Sequence, residues 1–192
     1  ESVGVLPFEF IYLGAKHMVT GYDHLLFLFG IIFFLYKLKD VGIYVSLFAL
    51  GHMTTLMAGV YFDVPINAYL VDAIIGLSVV YKAMDNIGMF ERVGIAINTK
   101  AAVAVFGLFH GLGLAAKMQE FELSSEGLFW NLLSFNVGVE LGQILALWFI
   151  LIAMAYWRKT SSFTKWAYSV NIIVMTCGFI LIGYQLVGYF IS

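Results

Sequence analysis

The stretch Gly14-Ala15-Lys16-His17-Met18-Val19-Thr20-Gly21-Tyr22-Asp23-His24-Leu25-Leu26-Phe27 decides how this chain is read. It sets two histidines, an aspartate and a lysine at the head of a long apolar run, where each ionisable group is costly unless it has a partner or a task. That run continues to Tyr36, and five more follow it. Of the 192 residues, 62% are apolar and 11% charged, with a mean hydropathy of +0.94. Soluble chains carry roughly 25% charged residues. The expectation is an all-α, polytopic integral membrane protein.

Charge, Gly, Pro and Asn punctuate the chain into six expected transmembrane helices, at about 11–36, 41–61, 66–84, 99–118, 127–156 and 166–190. A helix needs roughly 20 apolar residues to cross about 30 Å of hydrocarbon. The polar connections include 85–98 and the acidic segment 119–126, and none is long enough for a soluble domain, so 1–192 reads as a single transmembrane domain. Lysine and arginine collect on the cytoplasmic side of a membrane. With alternate loops grouped, Lys37, Lys39, Lys82, Arg92, Lys100, Arg158, Lys159 and Lys165, eight of the ten basic residues, fall on one side, against Lys16 and Lys117 on the other. Both termini are therefore expected outside, in a membrane of the bacterial inner or plasma type. The chain begins at Glu1, which fits a removed signal peptide or a trimmed chain.

Cys177 is the only cysteine, which excludes disulfide frameworks and cysteine-cluster metal sites. A net charge of -2 with no basic surface argues against a nucleic-acid partner. No inverted repeat relates the two halves, so no repeat-based transport mechanism is implied. A homo-oligomer is left open.

The polar groups inside the expected spans form a short set: His17, Asp23 and His24; His52; Asp72; His110; Asn136, Glu140 and Gln143; Asn171 and Gln185. All four histidines are among them. With about 1.5 Å of rise per residue, His24, His52, Asp72, His110 and Asn136 each lie roughly 10–15 Å below the outer end of their span, and Glu140 about 19 Å below. Five helices thus place a polar group in one layer of the outer half of the bilayer. Asn136, Glu140 and Gln143, at i, i+4 and i+7, form one polar stripe. Gly138 and Gly142, like Gly107, Gly111 and Gly113 around His110, allow close helix approach.

On an unbroken helix His17 and His24 stand about 10 Å apart along the axis, too far for one ion with bonds of about 2 Å. Either the backbone breaks near Thr20-Gly21 or only one of them is a ligand. The favoured assignment makes Asp23 and His24 core residues and His17 a group nearer the mouth. Imidazole with carboxylate suits nickel, zinc, iron or copper better than magnesium or calcium. The expected metal ligands are Asp23, His24, His52, His110 and His17. Asp72, Asn136, Glu140 and Gln143 are expected beside them or along a path, and Met18 and Met53 as packing residues.

Five ordered blocks carry a wider resemblance: His17-Met-Val-Thr-Gly21-Tyr-Asp23-His24-Leu-Leu-Phe, Gly51-His52-Met-Thr54-Thr55-Leu, Val71-Asp72-Ala73-Ile-Ile-Gly-Leu-Ser78-Val-Val-Tyr81, Phe106-Gly-Leu-Phe-His110-Gly111-Leu-Gly113-Leu-Ala115 and Phe135-Asn136-Val-Gly138-Val-Glu140-Leu-Gly142-Gln143. In order they resemble the motifs of the HupE/UreJ family, across essentially the whole chain. The family is associated with hydrogenase and urease gene clusters, and the resemblance implies a permease for nickel or a related divalent metal. His17 precedes Met18-Val19 where the family often has His-Pro-Gly, and Asp72 stands where it often has glutamate. The expected function is divalent transition-metal transport through a His/Asp/Glu site in the outer half of the bilayer. The alternatives are a membrane-embedded, zinc-type metallohydrolase using the same residues, and a metal sensor. Metal ion and lipid bilayer are the expected partners.

Overall fold

The structure, a computed structural model, describes residues 4–119 and 127–192. Among these residues the chain is helical and has no strand. The helices are α1 (Pro7–Thr20), α2 (Tyr22–Ile32), α3 (Leu38–Tyr61), α4 (Ala68–Asn86), α5 (Met89–Arg92), α6 (Thr99–Gln119), α7 (Leu128–Trp157) and α8 (Ser161–Ile191). Four of them, α3, α6, α7 and α8, are long and apolar enough to cross a membrane. Helix α4 has 19 residues but holds Asp72, Lys82 and Asp85. The acidic segment expected at 119–126 lies outside the described residues beyond Gln119.

The run expected as one helix over 11–36 is two. Pro7 starts α1 in the first turn, where its missing N–H removes no helical bond. Gly21 then takes an extended conformation, φ -72° and ψ 98°, and ends it. The interruption costs little, because the Gly21 N–H still donates to the His17 carbonyl (2.9 Å) and the Gly21 carbonyl accepts from the Leu25 N–H (3.0 Å). At the far end of α2 the carbonyls of Ile32 and Phe33 accept from the Arg158 guanidinium. That arginine also lies 4.6 Å from the Tyr36 ring centre.

Three helix pairs carry most of the packing: α1 with α7, α3 with α6, and α4 with α8. Each is closed by glycines that a side chain would push apart. A Cβ on Gly14 would strike the Phe135 carbonyl, and one on Gly138 the Ile11 carbonyl. Between α3 and α6, Gly51 faces Ala104 and Leu108, Gly107 faces Phe48, and Gly111 faces His52 and Thr55. Gly76 of α4 and Gly178 of α8 face one another. Without a hydrophobic driving force in lipid, such close van der Waals contact is what holds helices together. The glycines expected to admit neighbours do so.

Polar side chains tie the connections. Asn67 caps α4 by accepting from the Leu70 N–H (3.1 Å). Gln119 donates to the carbonyls of Gly59 (2.8 Å) and Val64 (3.1 Å), holding the turn between α3 and α4. Asn131 binds the start of the chain, accepting from the Leu6 N–H (2.8 Å) and donating to the Gly4 carbonyl (3.0 Å).

The apolar interior has two parts. The larger joins α1 and α7 to their neighbours through Met18, Leu28, Phe33, Leu56, Leu132 and Phe135. The smaller consists of Phe27, Ile31, Phe48, Val79, Ala83, Val103 and Val174. Its members lie toward the Ile32 end of α2, past the histidines of α2, α3 and α6.

Candidate metal centre

The break at Gly21 brings His17 to the other histidines. The His17 and His24 ring centres are 5.0 Å apart, and those of His24 and His52 5.8 Å. His110 stands 4.7 Å from His24. Of the two sequence alternatives the broken backbone is the one realised, and the expected separation of His17 toward the mouth gives way to direct contact with His24. His17 nonetheless also lines the cavity beside the cluster.

His17, His24 and His52 each offer one ring nitrogen, and the three lie within 4.8 Å of one another. Tetrahedral bonds of about 2.05 Å require ligand nitrogens roughly 3.4 Å apart, so small side-chain rotations close the set. The Nε2 atoms of all three are buried without a hydrogen-bond partner. His24 and His52 are 3% and 1% exposed. Buried polar atoms are ordinarily paired, and unpaired ones ask for an explanation. Three imidazoles grouped in this way are the donor set a borderline-soft cation takes, so the residues fit a transition metal.

The hydrogen bonds fix which nitrogen is free. Asp23 Oδ1 lies 3.0 Å from His24 Nδ1 and accepts the His24 backbone N–H at 2.9 Å. An ionised carboxylate only accepts, so the imidazole proton sits on Nδ1 and the Nε2 lone pair is free. Ser78 spends its one proton on the Ile75 carbonyl (2.6 Å) and stands 3.2 Å from His110 Nε2. Its oxygen is then the acceptor of the His110 Nε2–H, which leaves His110 Nδ1 buried and unpartnered.

Phe27 stacks on His110 at 5.5 Å, and Phe48 meets the same ring edge-on at 4.9 Å. These rings belong to the smaller apolar cluster and wall the histidines on that side. On the other side is a cavity of about 200 Å³, lined by His17, Thr20, Gly21, Tyr22, Asp23, Asp72, Lys117, Leu181 and Gln185. Asp72 receives the Lys117 ammonium at 2.9 Å and the Gln185 amide at 3.3 Å.

The polar stripe expected on α7 divides. Asn136 and Gln143 are buried, whereas Glu140 is exposed. The spacing does place the three on one side, but the edge of the packed surface runs between them. Asn136 donates to the Leu132 carbonyl (2.9 Å) on its own helix. Neither Asn136, Glu140 nor Gln143 lines the cavity. Met18 belongs to the larger apolar core.

Sequence reasoning left four polar residues without a role in the interior: Ser78, Lys82, Asp85 and Lys117. Lys117 is seven residues after His110, hence on the same face of α6. Lys82 follows Ser78 by one turn of α4. It is 7% exposed, pairs with Asp85 at 2.6 Å and packs over Gly30. Beside them Asn86 donates to the Gly30 carbonyl (2.8 Å) and to Asn171 Oδ1 (2.9 Å).

No curated protein and no solved structure matches this chain. A family model does, over residues 1–192, under the description HupE / UreJ protein. The blocks that carry His17, Asp23, His24, His52, Asp72 and His110 therefore sit in a match spanning the whole sequence, and the chain belongs to the HupE/UreJ family.

Proposed function

We propose that this chain is a membrane permease for a divalent transition-metal ion, nickel or a neighbour such as zinc or copper. The ion is its cargo, held by His17, His24 and His52, with His110 as the fourth imidazole. Three histidines that each bring a ring nitrogen within 4.8 Å of the others, and whose Nε2 atoms are buried and unpartnered, carry this reading. At the histidine site Asp23 orients His24 through its Oδ1 rather than binding the ion, as carboxylates commonly do behind metal-bound histidines. The break at Gly21 supports the same assignment. It places His17 in the last turn of α1, at the negative end of a helix dipole. Irregular backbone at membrane depth is tolerated where it is buried or lines a cavity.

In this reading 1–192 is one transmembrane domain with six crossings. Helices α1 and α2 make one interrupted crossing, α4 another, and α3, α6, α7 and α8 the rest. The lysine and arginine distribution puts both termini outside and the histidines in the outer half. The ion enters through the cavity beside Asp72 and loses water as the imidazoles replace it. It proceeds inward only when the layer of Phe27, Phe48, Val79 and Val103 opens toward Lys82 and Asp85.

The test is uptake of radioactive nickel or zinc by sealed vesicles holding the purified chain. Wild type accumulates one of the ions, and His24→Ala and His52→Ala fall to the level of empty vesicles. Accumulation by both variants at the wild-type rate rejects the reading. Three imidazoles beside a wet, carboxylate-lined cavity also match catalytic zinc, which keeps one position for water. A membrane metallohydrolase is therefore the second reading. It wins if the protein retains stoichiometric zinc while vesicles accumulate no ion.

A further inference from the structure

We propose that Asp72 and Asp23 form a second, oxygen-lined cation site in the cavity between α1, α2, α4, α6 and α8, and that the Lys117 ammonium is its tethered resident cation. An arriving divalent ion displaces Lys117. This inference rests on the permease reading only for what the ion does next.

Asp72 is 9% exposed, and only its Oδ2 is engaged, by Lys117 and Gln185. Its Oδ1 is buried and has no partner. Gly113 makes room for that oxygen, since a Cβ there would lie 3.0 Å from it. Asp23 brings a second carboxylate to the same cavity. The space of about 200 Å³ has room for several waters at roughly 30 Å³ each, so an ion can enter partly hydrated.

Removing one partner of a buried ion pair leaves an uncompensated charge and is strongly unfavourable. While it is ionised Asp72 therefore needs a cation, and Lys117 supplies it when no metal is there. The Lys117 side chain is 46% exposed, against 10% for Asp72. It can swing outward without unpacking the core, while the carboxylate stays. Carboxylate and amide oxygens favour hard, hydrated cations, and imidazoles favour softer ones. The two sites in series would admit a hydrated divalent ion and then select for a transition metal.

The experiment uses the full chain in lipid nanodiscs, with Mn²⁺ titrated and its free fraction read by electron paramagnetic resonance. Mn²⁺ suits an oxygen site better than an imidazole site. Lys117→Met is expected to gain one Mn²⁺ per chain, bound about tenfold or more tighter than in wild type. Lys117→Gln, which keeps a hydrogen-bond donor for Asp72, is expected to gain it too, and Lys117→Arg to behave as wild type. Adding Asp72→Asn to Lys117→Met removes the gained ion. Adding His52→Ala instead leaves it in place while nickel binding is lost. The proposal is overturned if Lys117→Met and Lys117→Gln both titrate as wild type, if the gained ion survives Asp72→Asn, or if it disappears with His52→Ala. If His52→Ala leaves nickel binding intact while the Mn²⁺ results hold, the histidine reading fails and the oxygen site stands.

Discussion

The two sides of the histidine cluster are built from opposite materials. Toward the Pro7 end lie Asp23, Asp72, Lys117, Gln185 and a cavity. Toward the Ile32 end lie the apolar side chains of Phe27, Ile31, Phe48, Val79, Ala83, Val103 and Val174, packed against one another. Beyond that layer lie the polar pairs Lys82–Asp85 and Asn86–Asn171. The cluster thus has a polar-lined cavity on one side and an apolar layer on the other. On the proposed permease reading, a cation held there would be reachable from the cavity side and closed off by the apolar layer on the other.

The largest effect that could break this comparison is expected at the ligands. His52→Ala should weaken nickel or zinc binding by more than about 100-fold, because a lost ligand exceeds the roughly 10–100-fold typical of the groups behind it. Equilibrium dialysis checks this, and an unchanged affinity would remove His52 from the site. Asp23→Asn should fall within that 10–100-fold range, since the His24 ring remains but the amide lacks the charge and can donate as well as accept, so it holds the proton on Nδ1 less firmly. On the dry side, Phe27→Ala should leave affinity within about threefold while raising ion leak through vesicles, measured with an entrapped metal-sensitive dye. A tight vesicle would mean that the Phe27 layer is not the barrier.

Packing gives a smaller contrast. Gly138→Ala drives a Cβ into the Ile11 carbonyl and should cost about 1–3 kcal/mol, whereas Gly183→Ala meets open space and should stay within about 0.5–1 kcal/mol. Thermal or denaturant unfolding in detergent compares the two. The smallest effect is expected for Glu140→Gln, which lies off the cavity and should bind metal as wild type does.

Apolar run length and spacing made the helical regions legible, and the expected bounds of the later helices agree with the structure within a few residues, as at 99–118 against Thr99–Gln119. Convergence of histidines was legible too, because imidazoles in apolar runs need a shared reason. The Gly21 break was visible only as one of two options: a single glycine permits an interruption, but neighbouring helices decide whether it happens. Glu140 shows the limit of periodicity, which groups residues on a face without saying where that face meets a neighbour. Lys117, at the end of the span expected over 99–118, was read only as one of the two basic residues on the outer side. Its partner Asp72 is on another helix, and no local pattern encodes that pairing.

The central claim is that buried imidazole nitrogens on three helices hold one transition-metal ion. X-ray absorption spectroscopy of the nickel- or zinc-loaded chain tests it most directly. The account predicts one ion per chain with three or four imidazole nitrogens at about 2.0–2.1 Å, and loss of that shell in His52→Ala. An all-oxygen shell, or an imidazole shell unchanged in His52→Ala, would contradict it.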